Sequence, residues 1–171
     1  MTFSLETPRL ILREFQEGDA EGMLRLNSDP DVIRYTGDDP FSSIEEARRF
    51  IQQYDAYKTF GYGRLTVLKK DTMEYIGWCG LRYDVNSRET DLGFRLLKAE
   101  WNKGFATEAS MCCLQDGFRR LALGRIIGRA MMENRTSIHV LKKIGMDYEK
   151  EFEAHGGICV QYFILKNEEF N

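Results

Sequence analysis

The chain has only two histidines, His139 and His155, and neither a C-x-x-C nor an H-E-x-x-H pattern occurs in its 171 residues. No cluster of His, Cys and Asp has metal-ligand spacing, so the sequence predicts no metal site. Ser137 and His139 stand two apart in a helical segment and cannot face each other, which removes the obvious serine–histidine pair. Blocks of like charge are also missing. With 24 Lys and Arg against 27 Asp and Glu, the net charge of −3 lacks the basic footprint that a nucleic-acid partner requires. No apolar run approaches the ~20 residues needed to span a bilayer, and Met1 to Arg13 lacks the basic start, apolar stretch and cleavage site of a secretory signal. The expectation is a soluble, cytoplasmic protein with no nucleic-acid or membrane partner. Two phosphate-binding signatures are absent as well: there is no G-x-x-x-x-G-K-[ST], and Gly61-Tyr62-Gly63 lacks the third glycine and the helix of a dinucleotide fingerprint.

Four cysteines do not form a disulfide framework: Cys112 and Cys113 are adjacent in a helical segment, while Cys79 and Cys159 sit in apolar, strand-like runs. They read as reduced core residues that behave as small hydrophobes. The hydrophobic fraction of 43% and charged fraction of 30% are an ordinary globular balance. At this length one core hides about 70% of the unfolded surface. A single domain over residues 1–171 follows.

Periodicity gives the order of elements. Arg9 to Phe15 reads as a strand, Glu17-Gly18-Asp19 opens a helix with Ala20, Met23 and Leu24 inward, and Ser43 with Glu46 marks a capping box for a helix to about Lys58. Three strand candidates, Arg64 to Leu68, Tyr75 to Tyr83 and Glu89 to Leu97, form an antiparallel meander. From Ala106 an amphipathic helix lines up Ala109, Cys113, Leu114, Gly117, Phe118 and Leu121 and stops near Gly124. A strand over Arg125 to Met131, a helix over Asn134 to Ile144 capped by Gly145, and two final strands complete the chain. The predicted fold is α/β, a mixed and mostly antiparallel sheet of about seven strands with helices on both faces.

Chemistry concentrates where the third meander strand runs into the long helix, through Trp101-Asn102-Lys103-Gly104-Phe105-Ala106-Thr107-Glu108-Ala109. A helix N-terminus leaves backbone N–H groups without intrahelical partners, and small residues such as Gly104 and Ala106 let an anion approach them. Lys103 could add a charge-assisted contact. Small-residue spacing alone does not separate this reading from a plain turn before a core helix.

The stretch resembles motif A of the GNAT acetyltransferases, R/Q-x-x-G-x-G/A, and in particular the W-G-K-G-Y-A-T-E-A form of their ribosomal-protein N-terminal acetyltransferase branch. Trp101, Lys103, Gly104, Ala106, Thr107, Glu108 and Ala109 match, Phe105 replaces Tyr, and Asn102 replaces Gly. Thr7 to Arg13, Pro30 to Tyr35, Tyr75 to Leu81 and Asn134 to Met146 resemble further family segments in the family's order. The resemblance implies acetyl-CoA as co-substrate, with the backbone of Phe94, Arg95 and Leu96 along the pantetheine arm. It also implies Asn102, Lys103, Gly104, Phe105, Ala106 and Thr107 around the pyrophosphate, and Asn134 and Ser137 near the thiol. Asn134 is equally well placed as an ordinary helix N-cap.

Such enzymes pass the acetyl group directly to a primary amine, on a protein N-terminus or a small molecule, with a backbone N–H near Phe94 as oxyanion donor. Some relatives carry a glutamate where this chain has Arg129, and many carry a tyrosine acid where it has Leu141. Asp91 is therefore the first candidate for proton transfer, with Glu133, Glu153 and His155 as others and Ser137 as partner of the leaving thiolate. The competing view of Asp91 is a solvated strand carboxylate. Arg129 and Leu141 also motivate an alternative function, an acyl-CoA-binding module with little catalysis. Acceptor specificity is expected in the loops Tyr35 to Ser42 and Glu153 to Ile158, and the chain is a monomer or homodimer by expectation.

Overall fold

The computed structural model describes residues 3–170. Its eight strands are β1 (Ser4–Glu6), β2 (Leu10–Arg13), β3 (Arg64–Lys69), β4 (Tyr75–Asp84), β5 (Glu89–Leu96), β6 (Arg125–Met131), β7 (Asp147–Ala154) and β8 (Gly157–Leu165). They form one sheet in the order β1-β2-β3-β4-β5-β6-β8-β7. Every neighbouring pair is antiparallel except β5 with β6. The sequence predicts about seven strands. The additional one is β1, where the chain doubles back at Thr7-Pro8 and Leu5 pairs with Leu12.

Six helices accompany the sheet: α1 (Ala20–Ser28), α2 (Pro30–Ile33), α3 (Ile44–Gln53), α4 (Ala56–Phe60), α5 (Phe105–Arg119) and α6 (Arg135–Lys143). α2 has no predicted counterpart; Asp29 accepts the Asp31 N–H and Pro30 opens the turn. The helix expected from Ser43 to Lys58 is two helices, broken where Tyr54 turns extended. Its capping box is half formed. Ser43 Oγ accepts the Glu46 N–H at 3.2 Å, while the Glu46 carboxylate takes the N–H and hydroxyl of Ser42 at 2.7 Å each. The long helix ends at Arg119 rather than near Gly124.

α5 and α6 pack on the back of the sheet, where Leu92, Leu96, Ala109, Cys113, Leu114, Phe118, Val140 and Leu141 share one buried cluster. Helices α1 to α4 cover the front of the β2–β5 half. Asp19, 4% exposed, anchors them: it accepts from Arg13 at 2.7 and 2.8 Å, the Gln16 N–H at 2.9 Å and the Thr66 hydroxyl at 2.7 Å. Four donors on one carboxylate satisfy a buried charge that would otherwise be costly.

Candidate active site

β5 and β6 pair only at Asp91 with Ile127 and Leu92 with Gly128. Past those positions the two strands diverge. The Leu97 N–H donates to the Ile76 carbonyl at 2.8 Å, so Leu97 faces β4. Strand residues alternate in direction, hence the N–H and C=O groups of Phe94 and Leu96 face the gap toward β6. The Leu96 carbonyl accepts from Trp101 Nε1 at 2.9 Å, consistent with that parity. A cavity of about 1220 Å³ runs through the gap, from the start of α5 to the front cleft under α1–α3.

The loop before α5 is shaped for an anion. Gly104, the residue before the helix, has φ 81° and ψ 3° and provides no side-chain cap, so the first N–H groups of α5 are left for a ligand. Asn102 adopts φ 59°, the left-handed region that Asn tolerates better than most residues. This explains how Asn stands where relatives have Gly. The loop is braced from β2: Arg9 donates to the Lys103 carbonyl at 2.9 Å and to Glu108 Oε2 at 2.6 Å, and its guanidinium lies over the Phe105 ring at 4.4 Å. Thr7 Oγ1 adds a 2.6 Å bond to Glu108. Burial works against the Glu108 charge, but the bonds from Thr7 and Arg9 outweigh it and hold the carboxyl below its usual range. Lys103 is turned aside, its ammonium 3.1 Å from the buried Glu100 carboxylate, which Lys69 also grips at 2.8 Å.

On the front face, Arg64, Trp78, Arg82, Asp91 and Arg95 project together because Trp78 pairs with Arg95 and Arg82 with Asp91. Asp91 is buried rather than solvated. Arg64 donates to its Oδ2 at 2.7 Å and to its carbonyl at 3.0 Å, through space that a side chain at Gly93 would fill. Its Oδ1 has no hydrogen-bond donor; the nearest cation is Arg82 Nε at 3.4 Å. Trp78 lies between the Arg64 and Arg95 guanidinium groups, each 5.2 Å from its ring. Arg95 holds the front loops, donating to Asn27 at 2.6 Å and to Asp38 at 2.7 Å. The turn His155-Gly156, with both residues at positive φ, brings the His155 ring against Gly37 and closes the far side.

Of the site residues predicted from sequence, Asp91, Phe94, Arg95, Leu96, Asn102 and Gly104 line the cavity, as do Phe105, Ala106, Thr107, Asn134 and Ser137. Lys103 does not, and Arg95 turns its backbone toward β4 and its side chain to the front loops. Asn134 caps α6 by accepting the Ser137 N–H at 3.2 Å. Among the other proton-transfer candidates His155 lines the cavity, whereas Glu133 and Glu153 are exposed outside it. Leu141, in place of a tyrosine, is a core residue 1% exposed. Arg129 is held by Gln161 at 2.9 Å and Asp84 at 3.1 Å. Arg64, Arg82, Trp78 and Arg9 are not predicted from the sequence; the signal for Arg64 is the pair of glycines, Gly80 and Gly93, that makes room beside it. Among the described residues no group of three or more His, Cys, Asp or Glu is arranged for a metal, and no helix is long and apolar enough to cross a membrane. The four cysteines are free; bonding to Cys79 and burial push the Cys113 thiol well above its ordinary value, an unreactive setting.

The chain matches the Acetyltransferase (GNAT) domain family over residues 9–147. It is 33% identical to the uncharacterized N-acetyltransferase p20 of Bacillus licheniformis, across 96% of this chain and 97% of that protein. A GNAT-family acetyltransferase from Bacillus anthracis superposes with a TM-score of 0.83 at 28% identity, covering 95% of this chain and 98% of that one. The Vibrio cholerae spermidine N-acetyltransferase, solved with CoA and spermine, shares the fold at a TM-score of 0.79 and 20% identity, over 96% of this chain and all (100%) of that one. With an anion cradle at α5, a split between β5 and β6 and a family match over most of its length, the chain belongs to the GNAT acetyltransferases, which use acetyl-CoA as co-substrate.

Proposed function

We propose that the protein transfers an acetyl group from acetyl-CoA to a primary amine by direct attack in a ternary complex. One observation carries the reading: a single cavity joins the start of α5 to the front cleft through the β5–β6 gap. A thioester whose pyrophosphate rests on Asn102 to Thr107 runs its pantetheine arm along the free edge of Phe94 and Leu96. An amine enters from the front. Its nitrogen attacks the thioester carbonyl carbon, the oxyanion is stabilised by the Phe94 N–H, and the C–S bond breaks to release the thiolate. Ser137, with Asn134 beside it at the start of α6, donates a hydrogen bond to that thiolate, which takes its proton from the solvent of the cleft.

Asp91 Oδ1 accepts the proton that the amine loses. Among the cavity's carboxylates, Asp31 is paired with Lys98, Asp38 with Arg95 and Glu100 with Lys69 and Lys103, and Asp39 is exposed, whereas Asp91 is buried and its Oδ1 has no hydrogen-bond donor. Asp91 and Phe94 are three residues apart, about 10 Å along the strand, so the proton crosses through solvent in the cleft. An α-amino group, with a reference pKa of about 7.7–8.0, needs little assistance at neutral pH. The Trp101 to Ala109 motif resembles that of the ribosomal-protein N-terminal acetyltransferase branch, and what is carried over from it here is an α-amino acceptor, not a protein N-terminus.

Thermal melts with acetyl-CoA, CoA, ATP and NADH test the first half. At a hundredfold excess over Kd a ligand adds about 2.7 kcal/mol, roughly 5–11 °C for a chain of this length. A shift with both CoA ligands alone, followed by amine-dependent CoA release, is the expected outcome. Binding without release under any amine would establish the acyl-CoA-binding module instead.

A further inference from the structure

We infer that the acceptor is an amine that also carries a carboxylate, an amino acid with an apolar side chain, and that Arg82 is the residue that selects it. The inference rests on the acetyl-transfer reading and adds the acceptor class. The cavity is lined by Arg34, Arg64, Arg82, Arg95, Lys98, Arg129 and Lys143 against Asp31, Asp38, Asp39, Asp91 and Glu100. A chain of net charge −3 has thus placed an excess of positive charge in this one cavity. A polycationic amine meets repulsion there, and an anionic group is attracted.

Most of these charges are already committed. Arg64 is spent on Asp91, Arg95 on Asp38, Lys98 on Asp31, and Arg129 on Asp84 and Gln161. Three remain: Arg34, which lies over the ring of Tyr35 at 5.2 Å, Lys143, at the end of α6, and Arg82, the one beside Asp91. The Arg82 side chain is 55% exposed, lines the cleft and makes no hydrogen bond to any described residue; its Nε stops 3.4 Å from Asp91 Oδ1. An arginine with its planar fork unoccupied suits a bidentate carboxylate.

Arg82 reaches into the cleft from beside Asp91, so its fork can hold the acceptor's carboxylate while the amine nitrogen lies toward Phe94 and the proton it loses reaches Asp91 through the cleft solvent. The rest of the wall is aromatic: Phe15 stacks with Phe50 and Tyr54 at 6.2 and 4.8 Å, and Phe41 with Phe50 at 5.8 Å. Phe15, Phe41, Phe50 and Tyr54 all line the same cleft. An apolar side chain on the acceptor is buried there.

The test is CoA release by the full chain with phenylalanine, leucine and methionine, each beside its amide, and with spermidine. The amide's amine is the less basic and more often neutral, so intrinsic reactivity favours the amide, and a preference for the acid reports recognition. We expect kcat/KM for at least one acid to exceed that of its amide and of spermidine about tenfold or more, and to fall as salt rises. Arg82→Gln should remove about ten- to a hundredfold of that advantage, the size of a hydrogen-bonded charge contact, through the acceptor KM. Arg82→Glu should reverse the order of acid and amide. Both variants must keep the acetyl-CoA thermal shift, which separates this outcome from misfolding. Amides or spermidine used as well as the acids, no turnover of any acid, or an unchanged ratio in Arg82→Gln would each overturn the assignment. Loss of acetyl-CoA binding by the unaltered chain would instead overturn the acetyl-transfer reading beneath it.

Discussion

Gly104 and Gly61 have nearly the same backbone conformation, φ 81° and ψ 3° against φ 79° and ψ 1°. Gly61 ends α4 in open space, whereas Gly104 opens α5 with Arg9 Nη2 placed 3.2 Å from where a Cβ would stand. Replacing either by alanine puts a side chain in the left-handed region at a cost of about 1–2 kcal/mol. For a chain of this length that lowers Tm by roughly 2–8 °C. The two variants should therefore lose similar stability without ligand. They should part company with it. In Gly104→Ala the cheapest relief is a rotation of the loop, which turns the N–H groups of Phe105, Ala106 and Thr107 away from a common point. The added methyl also pushes on Arg9, which braces the loop through Lys103 and Glu108. Losing one charge-assisted bond to the pyrophosphate costs about 1.5–3 kcal/mol, at least tenfold in Kd. Calorimetric titration with acetyl-CoA and melts at fixed ligand read this directly. Gly61→Ala should keep the full ligand-induced shift and Gly104→Ala should lose most of it. Equal acetyl-CoA affinity in the two variants would refute the placement of the pyrophosphate on this loop.

Glu108→Gln should lower Tm by about 2–4 °C and weaken acetyl-CoA binding severalfold, because it loosens Arg9 and Thr7 from the loop, whereas Asp116→Asn, which weakens the half-buried pair with Arg120 near the other end of α5, should leave affinity unchanged. Asp38→Ala frees the loop held by Arg95, so the acceptor KM should rise severalfold with the acetyl-CoA KM constant in two-substrate kinetics. Asp91→Asn should lower turnover with little change in acetyl-CoA affinity; because Arg64 is buried with it, Tm should also drop, and rates are to be read per acetyl-CoA-binding protein. Asp84, where burial is outweighed by bonds from Arg129, Asn86 and Ser87, has its carboxyl lowered from 3.8 to about 2. A lowered folded value means stability is fully present above about pH 4 and lost as pH falls toward 2. Acid melts of Asp84→Asn should show a flatter decline over that window.

The helices and strands that bury one face were legible because their apolar residues repeat at the right period: the α5 stripe from Ala109 to Phe118 is buried as its spacing demands. β1 was not, because three residues with alternate exposure leave no periodic signal; they form a strand only because β2 presents an edge. The break between α3 and α4 was hidden for a related reason, since Tyr54 and Tyr57 continue the helical apolar pattern across it. Their hydroxyls decide the matter: Tyr54 accepts the Arg64 N–H at 2.8 Å, and Tyr57 accepts the Phe15 N–H at 3.0 Å. At the site, residues contiguous in sequence, such as Asn102 to Thr107, could be read as a unit. Arg64, Arg82 and Asp91 lie on three strands, and only the register of β3, β4 and β5 brings them together.

That register also bears on the chemistry. Two positions where the family pattern places acid–base groups serve other ends here: Leu141 fills space that Gly128 leaves open on the back of the sheet, and Arg129 ties β6 to Asp84 at the end of β4 and to Gln161 on β8. Leu141 has no ionisable group, and Arg129 is occupied by these contacts. In the proposed reading proton transfer falls to Asp91, one of whose oxygens is gripped by Arg64 while the other, without a hydrogen-bond donor, lies beside Arg82. A lysine amine, with a reference pKa of about 10.4, is more than two units harder to deprotonate than an α-amino group, which amounts to over 3 kcal/mol at neutral pH. An α-amine brings much of the required acidity with it. Within the acetyl-transfer reading, the residues that replace the familiar acid and base therefore favour α-amino acceptors over side-chain amines, and a rise of kcat/KM with pH that levels off at the acceptor's own pKa would be its kinetic mark. A profile still climbing at pH 10 would show the enzyme working on amines that this site is poorly equipped to deprotonate.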